Sequence, residues 1–429
     1  MIDLSRLTGP ILKLSYLPGL RRDEWLSSAR LYDLQSRRLR ELIAHAYARV
    51  PFYRMLFDDA GVRPDQITTA DDLPRIPVVT KAMIREQNFE NVTAPRGRQS
   101  YIQGWTSGSS GVPLALYKTH REMAHRGALA IRGNMSAGIR VFDKRLSMGP
   151  PLPTSRSLTQ RLGIFRKQVI SAFEDLEYQT EAFLALQPDV LAGYPSCLAA
   201  VARNLESSSI HRGKPRLICC GGELLLPETR RLLEEVFQCP VIDAYGAEEV
   251  GRIAVQCLPS LGFHINADTT IVEILKDGQP VGPGEEGQLV VTSLMSFTMP
   301  FIRYVLDDIG SIAPDPCACG RALPLLGSLE GRSDDLIRLP GGVVKHPVVV
   351  AYPIVGTPGI SKFQVIQERE DYFTILLEKE QGFTKQTIAD LDGRLRSCLG
   401  DYKYDIRVVD EIPRQRSGKY RTILSKVPK

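Results

Sequence analysis

The sequence predicts an α/β protein. A large amino-terminal domain of several subdomains carries mostly parallel sheets and a β-rich part, and a small α+β domain follows it. Three observations predict this. Apolar runs of strand length at 189–193, 216–220 and 239–243 alternate with helical segments, and glycine or Tyr-Gly ends or closely follows each. Such alternation is the mark of a parallel sheet with crossover helices. From residue 265 the pattern changes: Thr270-Ile-Val-Glu-Ile-Leu and Gly287-Gln-Leu-Val-Val-Thr flank a turn-rich piece holding Gly278, Pro280, Gly282, Pro283 and Gly284. That reads as a β-rich unit with a long hairpin-type connection. Beyond a boundary near 330–342, strand-like stretches at 362–367 and 372–377 and a helix around 384–398 form a last unit of compact-domain size. The large domain is therefore expected at 1–331, its β-rich part at about 255–330, and the small domain at 332–429.

Residues 36–48 place Leu39, Leu42, Ile43 and Tyr47 at helical spacing with charges between them. This predicts an amphipathic helix that stops at Val50-Pro51. Pro74 and Pro77 mark a turn-rich link. A β-favouring Tyr101-Ile102-Gln103 then leads into residues 104–111, Gly-Trp-Thr-Ser-Gly-Ser-Ser-Gly, and apolar residues 112–116 follow. Glycines let a backbone approach an anion, and free N–H groups with Ser and Thr hydroxyls can wrap phosphate oxygens. A Ser/Gly run alone also suits a solvated turn. The loop lacks a Gly-Lys-Ser/Thr ending, and no Gly-x-Gly-x-x-Gly is present, so a P-loop phosphotransferase is disfavoured.

At 429 residues the chain is long enough for two or three domains. Its 43% hydrophobic and 24% charged residues are ordinary for a soluble globular protein. A formal charge of +5 without a basic stripe argues against a nucleic-acid partner. No apolar stretch approaches membrane-spanning length and no leader-like apolar region opens the chain, so a cytoplasmic protein without a membrane partner is expected. Eight cysteines do not form a disulfide framework; in such a chain they are thiols or metal ligands.

Further motifs follow the glycine loop in order: Gly221-Gly222-Glu223, Ala244-Tyr245-Gly246-Ala247-Glu248-Glu249, Arg303-Tyr304-Val305-Leu306-Asp307-Asp308, Gly331-Arg332-Ser333-Asp334-Asp335, and Pro413-Arg-Gln-Arg-Ser-Gly-Lys419. This order and spacing resemble the adenylate-forming superfamily of acyl-CoA synthetases, adenylation domains and luciferases. Within it the chain looks most like the phenylacetate–coenzyme A ligase group and its capsular-polysaccharide-biosynthesis relatives. The early Val50-Pro51-Phe52-Tyr53-Arg54 is also similar to that group.

The resemblance implies an ATP-dependent ligase with a mobile small domain. A small, preferably aromatic carboxylic acid attacks the α-phosphorus, pyrophosphate leaves, and the acyl group passes to coenzyme A. A carrier-protein thiol or an amine is the alternative acceptor. Both reactants are anionic, so the protein must hold them together and neutralise developing charge. By resemblance, Thr106, Ser107, Gly108, Ser109, Ser110 and Gly111 hold the β- and γ-phosphates of ATP, and Glu249 positions Mg²⁺. Gly222, Glu223, Ala244, Tyr245 and Gly246 hold the adenine of ATP or AMP, and Tyr194, Tyr245 and Gly246 line the acyl pocket. Asp308 receives the ribose hydroxyls, as a carboxylate accepting two hydrogen bonds can; Asp307 is its rival. Arg332 contacts ribose or phosphates. Lys419 reaches the α-phosphate with a flexible ammonium, and Asp334 is the hinge. Glu223 also suits the cap of a helix beginning near Pro227.

Two positions depart from the family pattern. Glu248 stands where many relatives carry Thr or Ser, and an acid there repels phosphate unless it turns away; it has no assigned role. Leu306 replaces a common Thr. These departures keep a non-catalytic, zinc-stapled binding protein as a rival reading.

Cys257, His264, Cys317 and Cys319 form a separate constellation, Cys-x6-His and Cys-x-Cys-Gly. Three thiolates and an imidazole make a closed tetrahedral Zn²⁺ set of the structural kind. Some members of the resembled group carry a similar set. Cys219 and Cys220 read as small hydrophobes at a strand end, and His120 and His125 as capping or solvated residues of a helix. The sequence leaves the oligomeric state open, a homodimer included.

Overall fold

The computed structural model describes residues 4–95, 101–106, 114–149, 160, 163–172, 174–208, 213–259, 262–332, 337–340, 343–345, 353–354, 357–399, 402–413 and 421–427. Ser107, Gly108, Ser109, Ser110, Gly111, Asp334 and Lys419 lie outside them.

The chain opens with helices α1 (Leu4–Asp23), α2 (Ser28–Arg49), α3 (Pro51–Asp59), α4 (Lys81–Arg85) and α5 (Phe89–Val92). The expected amphipathic helix is α2, extended back to Ser28; it buries Leu31, Leu34, Leu39, Leu42, Ile43 and Ala46. It ends at Val50 (φ −121°, ψ 105°) because a residue before proline avoids the helical region. Pro51 then starts α3 at a position where its missing N–H costs nothing.

Strands β1 (Ile102–Trp105) and β2 (Ala115–Lys118) pair antiparallel. Helix α6 (His120–Ser136) follows, started by a Thr119–Glu122 capping box. The next strands are β3 (Arg145–Gly149), β4 (Lys167–Ser171), β5 (Val190–Gly193), β6 (Leu217–Gly221), β7 (Val241–Ala247), β8 (Gly251–Gln256) and β9 (Phe263–Ile265). Then come β10 (Thr270–Lys276), β11 (Gln279–Pro280), β12 (Gly287–Ser293), β13 (Tyr304–Ile312) and β14 (Leu325–Arg332). Among the described residues these twelve form one sheet in the order β11-β10-β12-β13-β14-β9-β8-β7-β6-β5-β3-β4.

From β4 to β7 every pairing is parallel. The three apolar runs read from the sequence are β5, β6 and β7. Helices α7 (Leu176–Leu186), α8 (Pro195–Ser207) and α9 (Pro227–Phe237) make the crossovers and share a core of Leu146, Phe183, Leu198, Val201, Leu233 and Phe237. Parallel neighbours need such long connections, whereas a short turn forces reversal. Glu248–Val250 is such a turn, so β8 runs antiparallel to β7, and the β-rich part continues the parallel half instead of standing apart from it. The expected hairpin is β10 with β12, registered from Thr270↔Ser293 to Leu275↔Gln288.

The last described elements include the pair β15 (Ile337–Leu339) and β16 (Val343–Lys345). A four-stranded sheet follows, made of β17 (Ile360–Arg369), β18 (Tyr372–Lys379), β19 (Lys403–Val409) and β20 (Ile423–Ser425) in the order β19-β18-β17-β20. Helix α10 (Lys385–Leu399) packs Leu391 and Leu395 onto Val365, Phe373, Ile375 and Leu377. Among the described residues no helix is long and apolar enough to cross a membrane.

Candidate active site

Ligands of parallel sheets gather at the carboxyl ends of the strands. Here Tyr194 follows β5, Gly222 and Glu223 follow β6, and Ala244, Tyr245 and Gly246 end β7. The register Gly193↔Cys220 and Gly221↔Ala244 brings these ends side by side. Two glycines are required there. Gly222 turns the chain at φ +84°, and a Cβ on Gly246 would sit 2.4 Å from the Gly251 carbonyl oxygen. Glu223 does not cap α9, whose N-cap is Leu226. Its carboxylate instead accepts from the Ser196 amide and hydroxyl, each at 3.1 Å, at the start of α8.

Tyr245 reaches toward the antiparallel half, and its hydroxyl donates to Asp308 Oδ2 at 2.5 Å. Asp308 pairs in register with Arg332 across β13 and β14. Asp307, the rival, sits in the left-handed region at φ +62°, and it is Asp308 that meets Tyr245. Leu306 is a core residue, 8% exposed, so its departure from the family pattern fills the interior. Arg303 is buried too, its Nε held by Glu273 at 3.1 and 3.2 Å.

Glu249 is buried, and Tyr304 donates to its Oε1 at 3.1 Å. Burial, then the neighbouring Glu249 carboxylate, push the Tyr304 phenol far up, so it stays a donor. The acidic turn is held from behind. Lys118 Nζ donates to the Glu248 carbonyl at 3.0 Å, and Arg126 donates to the carbonyls of Glu248 (2.9 Å) and Glu249 (3.0 Å). The Glu248 side chain points out, 66% exposed. Its carboxylate lies 4.0 Å from the Arg126 guanidinium while its backbone is anchored. Lys118, Arg126 and Tyr304 were not singled out from sequence; basic residues shortly after the glycine loop were the available signal.

At the mouth of the glycine loop, the Thr106 amide donates to the Leu114 carbonyl (3.0 Å), and the Leu114 amide donates to Thr106 Oγ1 (2.9 Å). Glu122 also joins distant segments: its Oε1 accepts from the amides of Phe297 (2.9 Å) and Thr298 (2.8 Å). His120 is exposed, whereas His125 is buried edge-on against Tyr16 with ring centroids 5.1 Å apart.

The donor atoms of Cys257, His264, Cys317 and Cys319 lie within 4.8 Å of one another. Cys257 Sγ is 3.2 Å from His264 Nε2 and 3.7 Å from Cys317 Sγ, and Cys319 Sγ is 3.4 Å from His264 Nε2. Burial, then Arg321, push His264 down to about 4, leaving a neutral imidazole. Burial and the neighbouring thiols push Cys257 up to about 12. Crowded thiols of this kind ionise readily only around a cation. Arg321 donates to Cys319 Sγ at 3.4 Å and pairs with Glu24 at 3.2 Å, linking the cluster to the segment after α1.

A family model described as AMP-binding enzyme matches residues 31–299, and one described as CapK C-terminal domain matches residues 336–426. The phenylacetate-coenzyme A ligase of Thermus thermophilus is 28% identical over 446 residues, covering 95% of this chain and 99% of that protein. Protein CapK of Staphylococcus aureus is 23% identical over 411 residues, covering 92% and 90%. The solved structure of 2-hydroxyisobutyryl-CoA ligase with 2-HIB-AMP, in the postadenylation state, shares the fold. Its TM-score is 0.79 at 19% identity, covering 94% of this chain and 91% of that one.

Proposed function

This chain belongs to the AMP-binding enzyme family, and we propose that it is an AMP-forming acid–thiol ligase that converts a small aromatic carboxylic acid to an acyl-adenylate and passes the acyl group to coenzyme A. The observation that carries this reading is the meeting of the parallel strand ends with Asp308 through Tyr245. A nucleotide seated there has its ribose at a carboxylate and its adenine beside Gly222, Glu223 and Ala244.

Charge handling follows from the surrounding residues. Thr106 with Ser107, Gly108, Ser109, Ser110 and Gly111 would hold the departing phosphates by backbone and hydroxyl donors. Glu249, oriented by Tyr304 and by the anchored 248–249 backbone, would hold Mg²⁺, which supplies charge neutralisation on the phosphates. Arg126, 4.0 Å from the Glu248 carboxylate, would offset part of the repulsion that its residue type suggests. Lys419 would approach the α-phosphate and stabilise charge only as the acid attacks. Arg332 would add a second cation near the ribose. Tyr194 and Gly246 would border the acid, and Asp334 would be the hinge between a large domain at 1–331 and a small one at 332–429.

Cys257, His264, Cys317 and Cys319 would hold one structural Zn²⁺; a neutral imidazole and three crowded thiols fit it, and all four positions are filled by protein. Cys219, Cys220, Cys239, Cys257 and Cys319 form no disulfide, in keeping with a reducing cytoplasm.

The test is incubation with ATP, Mg²⁺, coenzyme A and aromatic acids, with products read by mass spectrometry. AMP and an acyl-CoA thioester in equal amounts are expected. ADP with an acyl phosphate would reject an AMP-forming ligase, and acyl-AMP that never reaches coenzyme A would reject the acceptor.

A further inference from the structure

The substrate reading above leaves open which acid is activated, and the parallel half of the sheet bears on it. Arg145 opens β3 and Lys167 opens β4, and the two are paired in register, so both side chains leave the same face. Register carries that face through Val190 of β5 to Leu217 of β6, and Cys219, two residues on, shares it. Ile242 lies opposite Cys219, and Ala244 and Gly246 follow on the same side of β7. Arg252 of β8 lies opposite Gly246. Its guanidinium reaches Asn134 Oδ1 (2.8 Å) and the Ala130 carbonyl (3.4 Å), so this is the face covered by α6.

Three half-buried cations thus share one face. Burial, then Arg145 and Arg252, push Lys167 down to about 8. Burial pushes Arg145 down, and it pushes Arg252 down to about 10 with Arg145 adding to the effect. The Cys219 thiol beside them is raised to about 12 by burial, so it offers no counter-charge near neutral pH. Arg145 Nε is buried without a hydrogen-bond partner among the described residues. No described carboxylate pairs with Arg145, Lys167 or Arg252. Nearby Arg216 differs, being neutralised by Asp143. The connection from β3 to β4, residues 150–166, contains no Asp or Glu. Half-buried cations gathered without an acid repel one another, and the repulsion falls when an anion arrives.

Arg252 adjoins the candidate site, and Arg145 and Lys167, at the amino ends of their strands, lie further along the same face. Cys219 is two residues before Gly221, and Arg252 faces Gly246. Tyr245, which meets Asp308, leaves the opposite side of β7. The cluster therefore shares the face of Ala244 and Gly246, of which Gly246 would border the acid. We propose that the acid activated by this chain carries a second anionic group remote from the reacting carboxyl, a carboxylate, sulfonate or phosphate, received by Arg145, Lys167 and Arg252. Arg145 and Arg252 can fork onto two oxygens, and Lys167 adds a point charge.

The test pairs phenylacetate with its 4-carboxy, 4-sulfo and 4-phospho counterparts in acid-dependent pyrophosphate exchange. Wild-type protein is expected to prefer at least one doubly anionic acid by 10-fold or more in kcat/KM. Arg145→Gln should reduce that preference at least 10-fold, and Arg145→Lys should restore part of it. Calorimetry on the wild type, which avoids any folding defect of a variant, should show proton uptake at pH 8.5 with the preferred doubly anionic acid and none with phenylacetate, because Lys167 regains its proton beside the anion. Equal use of both classes, or a preference that Arg145→Gln leaves intact, overturns the inference. Exchange with no acid counts against the ligase reading, and the calorimetric comparison then decides the inference alone.

Discussion

Tyr245 at the end of the last parallel strand donates its hydroxyl hydrogen to Asp308 at 2.5 Å, across three strands that separate β7 from β13 in the sheet. A flat sheet would hold these residues far apart; twist and coiling bring them together. The bond fixes one carboxylate oxygen of the proposed ribose site. A hydrogen bond to a charged group contributes about 1.5–3 kcal/mol. Tyr245→Phe should therefore raise KM for ATP roughly 10-fold while kcat changes little, since ground state and transition state use the ribose contact equally. Steady-state kinetics with varied ATP checks this; an unchanged KM would separate Tyr245 from nucleotide binding.

Lys419 should matter to one half-reaction only. Lys419→Ala is expected to slow acyl-AMP formation by about 100-fold or more, the scale of losing one electrostatic stabiliser. Thioester formation from supplied acyl-AMP should keep most of its rate. Rapid-quench measurement of each step decides, and equal losses in both would remove Lys419 from the adenylation role.

The cysteine–histidine cluster should behave as a staple. It joins β9 to the segment before β14, and Arg321 ties it to Glu24. Protein purified without added metal should contain about one zinc per chain, the stoichiometry of one closed site. Cys319→Ser should lower zinc content and melting temperature together, with the acid preference unchanged. A metal-free wild type whose melting curve ignores a chelator would show four ordinary side chains.

His125 gives a pH signature. Burial, with Arg38, Arg132 and Arg121 against the opposing Asp268, holds it at about 4, below its ordinary 6.5. The unfolded chain then binds the proton first, so stability is lost as pH falls from about 6.5 toward 4 and is fully present above that window. The full contribution is about 3 kcal/mol. His125→Gln should flatten the fall of denaturant midpoint between pH 6.5 and 4 relative to wild type. Parallel curves for the two proteins would show that His125 does not carry it.

What could be read from the sequence was local chemistry. Three thiols and an imidazole suggest by residue type the cluster whose donor atoms the fold gathers within 4.8 Å, and β5, β6 and β7 announce themselves through apolar runs with glycine close behind. What escaped depends on distant pairing. The 248–250 turn makes one sheet of what reads as two units, because direction is set by a short turn and not by composition. Lys118 and Arg126 bind carbonyls more than 120 residues away, and no spacing encodes that. Glu248 reads as a repelling acid until Arg126 is seen beside its exposed carboxylate. The cationic face needs the register of β3, β4 and β8 before Arg145, Lys167 and Arg252 share one side.

The most direct test of the ligase account is acid-dependent exchange of labelled pyrophosphate into ATP, measured across carboxylic acids without coenzyme A or any other acceptor. The account predicts exchange that requires Mg²⁺ and an acid, and that Asp308→Ala and Lys419→Ala each reduce strongly. A folded, zinc-loaded protein that binds ATP yet exchanges no pyrophosphate with any acid would contradict it and favour a binding protein on the same fold.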